Sequence, residues 1–378
     1  MKRFLPRLVL VLLLAAVVIR LTLGGGERLE DRSTPAVLSF DAVEKVADLP
    51  FPPGNIAVSD QGRVFFTLHP DAHPPMKVVE LVGGTPVPFP SAAWQEPSDD
   101  IPWFQSVLSV RIDRQQRLWA LDFANYGRGS PRITAFDLRT GALVDRYEFP
   151  ASVAGFASML NDFQVDAAGR YVFIAESSPL LGNPALIVYD SEKKTSRRVL
   201  ENDRSVRTER LMIAAPGRDM RLPGGLIALR IGVDSIALSR DGVWLYYGPV
   251  TGRRLYRIRT TDLLDETLPP AQLAARVEDF ADKTLSDGLT TDDAGAIYVS
   301  DMEHSAIHRI DKDRTLTTIV RDPRLRWPDG FSFGPDGWMY VTCSALQDVL
   351  FRSSDEVAAH APYQIWRLRP GATGVAGH

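Results

Sequence analysis

Six times along this chain a hydrophobic stretch stops at a tight turn and resumes as a second hydrophobic stretch. The turns are Ser59-Asp60-Gln61-Gly62, Asp113-Arg114-Gln115-Gln116, Asp166-Ala167-Ala168-Gly169, Ser239-Arg240-Asp241-Gly242, Asp292-Asp293-Ala294-Gly295 and Gly334-Pro335-Asp336-Gly337. Their last residues are spaced by 54, 53, 73, 53 and 42 positions. Self-similarity at a period of roughly 40 to 50 residues is what a β-propeller leaves in a sequence, and no other feature of the chain restricts its fold as strongly.

Each copy reads as strand, turn, strand. In the fourth, Ile236-Ala237-Leu238 precedes the turn and Val243-Trp244-Leu245-Tyr246-Tyr247 follows it; in the fifth the pair is Leu289-Thr290-Thr291 and Ala296-Ile297-Tyr298-Val299-Ser300. β-branched and aromatic residues on both sides of an Asp/Gly turn signal a hairpin, because Gly takes positive φ without steric cost. Third strands follow, such as Arg132-Ile133-Thr134-Ala135-Phe136 and Ala185-Leu186-Ile187-Val188-Tyr189, and a fourth comes after a polar turn. Four strands per repeat make one blade. The reading is all-β: a six-bladed β-propeller of four-stranded antiparallel blades over residues 27–370.

The spacing of 73 contains an Arg-rich polar stretch at 201–231, read as a long inter-blade loop that is either a lid or a bland excursion. The last copy supplies three strands, ending with Tyr363-Gln364-Ile365-Trp366-Arg367-Leu368. An unpaired edge there invites aggregation. Val37–Val46, which precedes the first full copy, is expected to pair beside it and close the ring. Residues 371–378 read as a disordered tail.

Residues 1–26 are a separate object. Lys2, Arg3 and Arg7 precede Leu8–Ile19, an apolar run of 12 residues, followed by Arg20 and a triple Gly. A basic segment before a short apolar one reads as an export signal, or as a membrane anchor if Arg20 snorkels and Leu21–Gly26 extends the run. The positive end stays cytoplasmic, so the propeller is expected outside it, periplasmic or extracellular, touching membrane only through this segment. Without the four basic groups of 1–26, 39 basic groups face 47 acidic ones. That balance argues against nucleic acid and for a small-molecule partner; a monomer is expected. The single cysteine, Cys343, cannot form an internal disulfide and reads as a small buried apolar residue.

Function enters with the residue eight positions before each turn marker. Copies four, five and six carry Asp234, Asp287 and Asp329 there; copy three carries Asn161 followed by Asp162; copy one has Asn55 at minus seven. Copy two departs, offering Leu108 and Ser109. The first strand of each propeller blade lines the central channel, so these positions form a ring at one mouth. One reading is that each side chain caps a turn through backbone NH groups two residues on. The other is a bound cation, since clustered carboxylates raise one another's pKa unless a cation compensates. Asp and Asn oxygens suit Ca²⁺, with Mg²⁺ or Mn²⁺ as alternatives. Elsewhere the signals are weaker: His69 and His73 in a loop, Glu303-His304 with His308 at a strand junction, and Glu176 at a strand end, where it is expected to face the mouth.

Gly232-Val233-Asp234-Ser235-Ile236-Ala237-Leu238-Ser239-Arg240-Asp241-Gly242, Leu160-Asn161-Asp162-Phe163 and Ser286-Asp287-Gly288-Leu289 resemble the yellow/major royal jelly protein family. The resemblance covers about residues 40 to 370 and implies a six-bladed, typically secreted propeller, linked in insects to dopachrome conversion and to binding small amines. More distantly the repeats resemble the gluconolactonase/regucalcin family, whose metal ligands are a Glu from the first blade, two Asn, and an Asp from an Asp-Gly motif. By that resemblance Asn161 matches one Asn and Asp287 the Asp. Asp234 stands where the other Asn would be, and Asn55 is nearest to the missing Glu. Two hypotheses follow: a metal-assisted lactonase-like hydrolase or dopachrome-like isomerase with Asp287 or Asp234 as base, or a non-catalytic propeller with a structural cation that holds a polar or aromatic ligand in the same mouth.

Overall fold

The computed structural model describes residues 4–99, 102–179 and 182–378, with side chains from residue 13 onward. Among them six four-stranded antiparallel sheets stand in a ring. The innermost strands are Pro53–Val58, Val107–Ile112, Leu160–Val165, Val233–Leu238, Leu289–Thr291 and Pro328–Phe333. Each packs against the next, and the sixth packs against the first. Their residues are almost wholly buried, whereas an outermost strand such as Leu143–Glu148 alternates between exposed and half-buried positions. The periodicity seen in the sequence is therefore that of a six-bladed propeller.

The hairpin turns form for the reason expected. Gly62, Gly169, Gly242, Gly295 and Gly337 all have positive φ, and in blade 2 the equivalent Gln116 is forced into the same left-handed region at φ 59°.

Ring closure uses the N-terminal segment, with a shift. Val43–Leu49 pairs with Tyr363–Leu368 as the outer strand of blade 6. Val37 and Leu38 instead donate to Thr318 and Ile319 on blade 5, and a turn of 3-10 helix at Phe40–Ala42 separates the two pairings. The closing strand thus begins six residues later than Val37.

The tail expectation is corrected. Residues 374–378 lie against the end of the channel opposite the ring: Gly377 O accepts from Ile112 N at 3.1 Å, and His378 O accepts from Phe333 N at 3.0 Å.

The 201–231 loop is a strap. A short ribbon, Ala214–Ala215 with Arg218–Asp219, lets it cross the ring's face. Arg218 donates to Gln347 O and Leu350 O on blade 6 at 2.7 and 3.0 Å, and Ala214 N donates to Glu303 Oε1 on blade 5 at 2.7 Å. Leu211, Ile213 and Met220 share a core with Val349 and Trp327. Residues 23–27 run along the strap, with Glu27 bonded to Arg210 and Met212. Before them Phe4–Thr22 is one helix on which Leu13, Val17 and Leu21 are exposed. Residues 1–3 and the earlier side chains of the 1–26 segment lie outside the described residues. Among those described, no helix is long and apolar enough to cross a membrane.

Candidate functional site

The common offset of the ring residues is the position of a β-bulge. In five blades the pairing of innermost and second strand slips near its start: between Pro53 and Ile56, Val107 and Ser109, Leu160 and Phe163, Val233 and Ser235, and Pro328 and Phe331. The residues left out of the ladder include Asn55, Leu108, Asn161, Asp162, Asp234 and Asp329. In blade 5 the ladder starts at Leu289, and Asp287 lies just before it. A bulge re-aims side chains and frees backbone groups. Second-strand hydroxyls take up those groups. Thr67 Oγ1 accepts from Asn55 N, Ser300 Oγ from Asp287 N and Gly288 N, and Thr342 Oγ1 from Gly330 N, at 2.9–3.0 Å.

Asn55, Asn161, Asp162, Asp234, Asp287 and Asp329 all line one cavity of about 110 Å³. None caps a turn. That work is done at the opposite ends of the hairpins, where Asp113, Asp166 and Asp292 accept from backbone N–H groups. At the mouth the polar groups hold one another. Asp162 Oδ1 accepts from Asn55 Nδ2 (2.8 Å) and Ser109 Oγ (2.6 Å), Asp234 Oδ2 accepts from Asn161 Nδ2 (2.6 Å), and Asp287 Oδ2 accepts from Trp327 Nε1 (2.5 Å).

The departing copy hides the main finding. Blade 2 contributes Arg111, 1% exposed, whose guanidinium donates to Asn55 Oδ1 and lies 3.6 Å from Asp162 Oδ2. A charged side chain two residues past Ser109, in an otherwise apolar strand apart from that serine, was the available signal. Arg111 chiefly compensates Asp162 and reaches Asp329 more weakly. Burial pushes Asp162 up while Arg111 pulls it down. Burial and then the neighbouring Asp287 and Asp162 push Asp234 and Asp329 well above the usual carboxylate range. Asp287 is pushed up to about 6, mainly by burial, against the Trp327 hydrogen bond. Lys283, close by and fully buried, spends its ammonium on Pro249 O and Thr284 O, and burial lowers it to about 7.

The donor chemistry suits a hard oxygen-seeking cation. Among the described residues, however, no three Asp, Glu, His or Cys side chains stand close enough to hold a metal. In this arrangement Arg111, the two asparagines and Trp327 meet carboxylate oxygens of the floor.

Above this floor the walls turn apolar: Leu108, Met159, Leu222, Leu229, Ile231 and Leu350, three of them from the strap. The strap is therefore part of the pocket and not an excursion. His69, on the wall, is buried, and that burial lowers its pKa. Glu176 does not face the mouth; it pairs with Arg198 at 2.9 Å and accepts from Met159 N. His304 and His308 both meet Asp301, at 3.0 and 3.1 Å, beside the strap's contact with blade 5. Cys343 is buried and unpaired.

These features define a six-bladed propeller with an acid-floored, strap-covered mouth. The family model for major royal jelly protein matches residues 105–363, and the chain belongs to that family. It is 24% identical to major royal jelly protein 3 of Apis mellifera over 242 residues, 61% of this chain and 42% of that one. To the yellow-related salivary protein ASP2 of Phlebotomus orientalis it is 25% identical over 266 residues, 65% and 62% of the two chains. The matches thus span less than two thirds of these relatives' own length. Among solved structures, a calcium-binding protein, regucalcin, from Agrobacterium tumefaciens superposes with a TM-score of 0.56 at 15% identity, covering 91% of this chain and 98% of that one. A gluconolactonase from Xanthomonas campestris gives 0.54 at 14%, covering 86% and 88%. At those identities the likeness is one of fold.

Proposed function

We propose that this chain is an exported binding propeller whose ligand rests on the carboxylate floor beneath the strap, with a divalent cation, Ca²⁺ first and Mg²⁺ or Mn²⁺ next, completing that floor. The supporting observation is the pair Asp234, buried, and Asp329, half-buried: carboxylates that face other carboxylates and, among the described residues, have no salt-bridging side chain within 4 Å. Burying a charge costs several kcal/mol unless it is paired. Asn161, Asp234, Asp287 and Asp329 would hold the ion, and small side-chain rotations would release the oxygens now taken by Asn161 and Trp327. The regucalcin-like architecture is consistent with this, although the donor set differs from that family's.

A bound divalent cation would supply Lewis acidity toward a carbonyl oxygen. In the cation-free mouth burial raises Asp287 to about 6, and where the ion leaves it unengaged it would serve as the base of such a reaction. A lactonase-like or isomerase-like reaction is the catalytic form of this proposal. A second reading, ligand holding without turnover, draws on the hydrogen bonds that already engage the floor acids. Export rests on the basic and apolar pattern of residues 1–26.

Calorimetric titration of metal-stripped protein with CaCl₂, MgCl₂ and MnCl₂ tests the cation. Wild type should bind one equivalent, and Asp234→Asn or Asp329→Asn should weaken it at least about tenfold, the loss of one charge-assisted contact. No heat with any of the three ions removes the cation. A screen of lactones and catechol quinones with the loaded protein then separates enzyme from binder.

A further inference from the structure

A second cavity adjoins the first under the same strap, on the side of blades 3 and 4. It encloses about 740 Å³ and shares Pro179, Leu222 and Leu229 with the acid-floored pocket. Its charge is opposite. Arg204, Arg207 and Arg230 line it. Its carboxylate, Glu209, is already taken by Arg253, through Nε at 2.7 Å and the backbone N at 2.8 Å.

Arg230 is the informative member. It is half-buried, its Nη2 donates to Gly25 O, and its Nε is buried without any hydrogen-bond partner. Burial, then the neighbouring Arg210, lowers its pKa. Among the described residues no carboxylate lies within salt-bridge distance of Arg204, Arg207 or Arg230. The guanidinium is thus incompletely satisfied, with a buried Nε that has no acceptor, beside the exposed Arg204 and Arg207. Carboxylate and phosphate oxygens match a guanidinium edge, often bidentately. The hydroxyls of Ser177, Ser178 and Thr208 lie in the same wall.

We infer that this chamber is an oxyanion site in which Arg204, Arg207 and Arg230 receive a carboxylate or phosphate group. Two sources share this chemistry. One is a free small molecule. The other is a lipid headgroup, because Gly25, bonded to Arg230, lies just beyond the end of the Phe4–Thr22 helix.

The full chain is titrated calorimetrically with potassium phosphate and with sodium succinate. In parallel it is co-sedimented with phosphatidylcholine vesicles and with vesicles containing one quarter phosphatidylglycerol. A free source predicts saturable binding of phosphate or succinate that weakens about tenfold or more in Arg230→Gln. A lipid source predicts a preference for the anionic vesicles that the same variant loses. Arg207→Gln, at an exposed position, should weaken the same signal in the same direction and guards against misfolding of the Arg230 variant. Asp234→Asn should change neither readout, which separates this site from the acid floor. The inference is overturned if neither free oxyanion binds and no vesicle preference exists, or if either signal persists unchanged in both arginine variants.

Discussion

The two ends of the central channel are made by the same six strands and handle carboxylates in opposite ways. At the hairpin end, Asp113, Asp166 and Asp292 each accept from backbone N–H groups of their own turn. Those acids help to fold the chain. At the bulged end, Asp234, Asp287 and Asp329 face one another in a buried pocket, and their raised pKa values mean that ionising them works against the folded state. Fold stability alone does not account for such an arrangement; groups held at a cost mark a site. Between the ends stands Arg111, bonded to Asn55 and Asp162 on one side and felt electrostatically by His378 on the other.

Removing Arg111 should have the largest effect. Arg111→Met keeps most of the volume and strands Asp162, so denaturant unfolding should show a loss of about 3–5 kcal/mol, the usual result of breaking one partner of a buried pair. A loss below about 1 kcal/mol would mean that Asp162 is neutral in the folded protein.

Next comes the cation. An ion that binds only the native protein stabilises it by about 2.7 kcal/mol at a hundredfold excess over Kd. Chelator should therefore lower the melting temperature of wild type and leave Asp234→Asn unmoved. Equal curves with and without chelator, in protein shown to be metal-free at the outset, would leave the mouth acids as protonated groups and nothing more.

Acidity gives a somewhat smaller and opposite effect in the metal-stripped protein. Asp287 sits near 6 when folded against 3.8 ordinarily. A carboxyl raised in this way contributes stability that is complete below 3.8 and lost as pH rises through about 6. Between pH 7.5 and 5 Asp287 alone should thus add about 1.4 kcal/mol to the stripped protein, followed by melting temperature; Asp287→Asn should remove that share and leave the part of the slope that Asp234 and Asp329 supply. With saturating cation the slope should reverse, because protons then compete with the ion.

Much of this comparison was legible in the sequence. The turn markers revealed the blade count, and an offset of eight from them, or seven for Asn55 and Asp162, picked out six residues that do share a pocket. The bulge that explains the offset was not legible, since periodicity says where strands lie but not where their ladders slip. Thr67, Ser300 and Thr342, each the fifth residue after Gly62, Gly295 and Gly337, carried a readable signal of it. Arg111 escaped because copy two lacks an acid at the offset and so looked empty. The strap's path was hidden for another reason: its contacts with Gln347 and Glu303 are far apart in sequence. The Gly-rich stretch at 371–378 read as disorder, yet its glycines are what permit close packing. A Cβ on Gly374 would stand 2.3 Å from the Phe333 ring.

The smallest expected effect tests whether the two ends are independent. Gly377 has φ +86°, and a Cβ there would lie 2.6 Å from Ile112 Cβ and O. Ile112 belongs to the strand that also carries Arg111. In Gly377→Ala the left-handed conformation alone costs roughly 1–2 kcal/mol. The strand is fixed by its pairing with Arg117–Asp122 and by packing against the neighbouring innermost strands, so the 374–378 segment should lift away and limit the loss to about 1 kcal/mol. Hydrogen exchange should then quicken at the Phe333 amide, which donates to His378 O. Cation affinity at the far mouth should stay within about twofold of wild type, since Arg111 keeps its bonds to Asn55 and Asp162. A larger shift in that affinity would mean that displacement near His378 reaches the floor through Arg111, and the two ends would have to be treated as one coupled site.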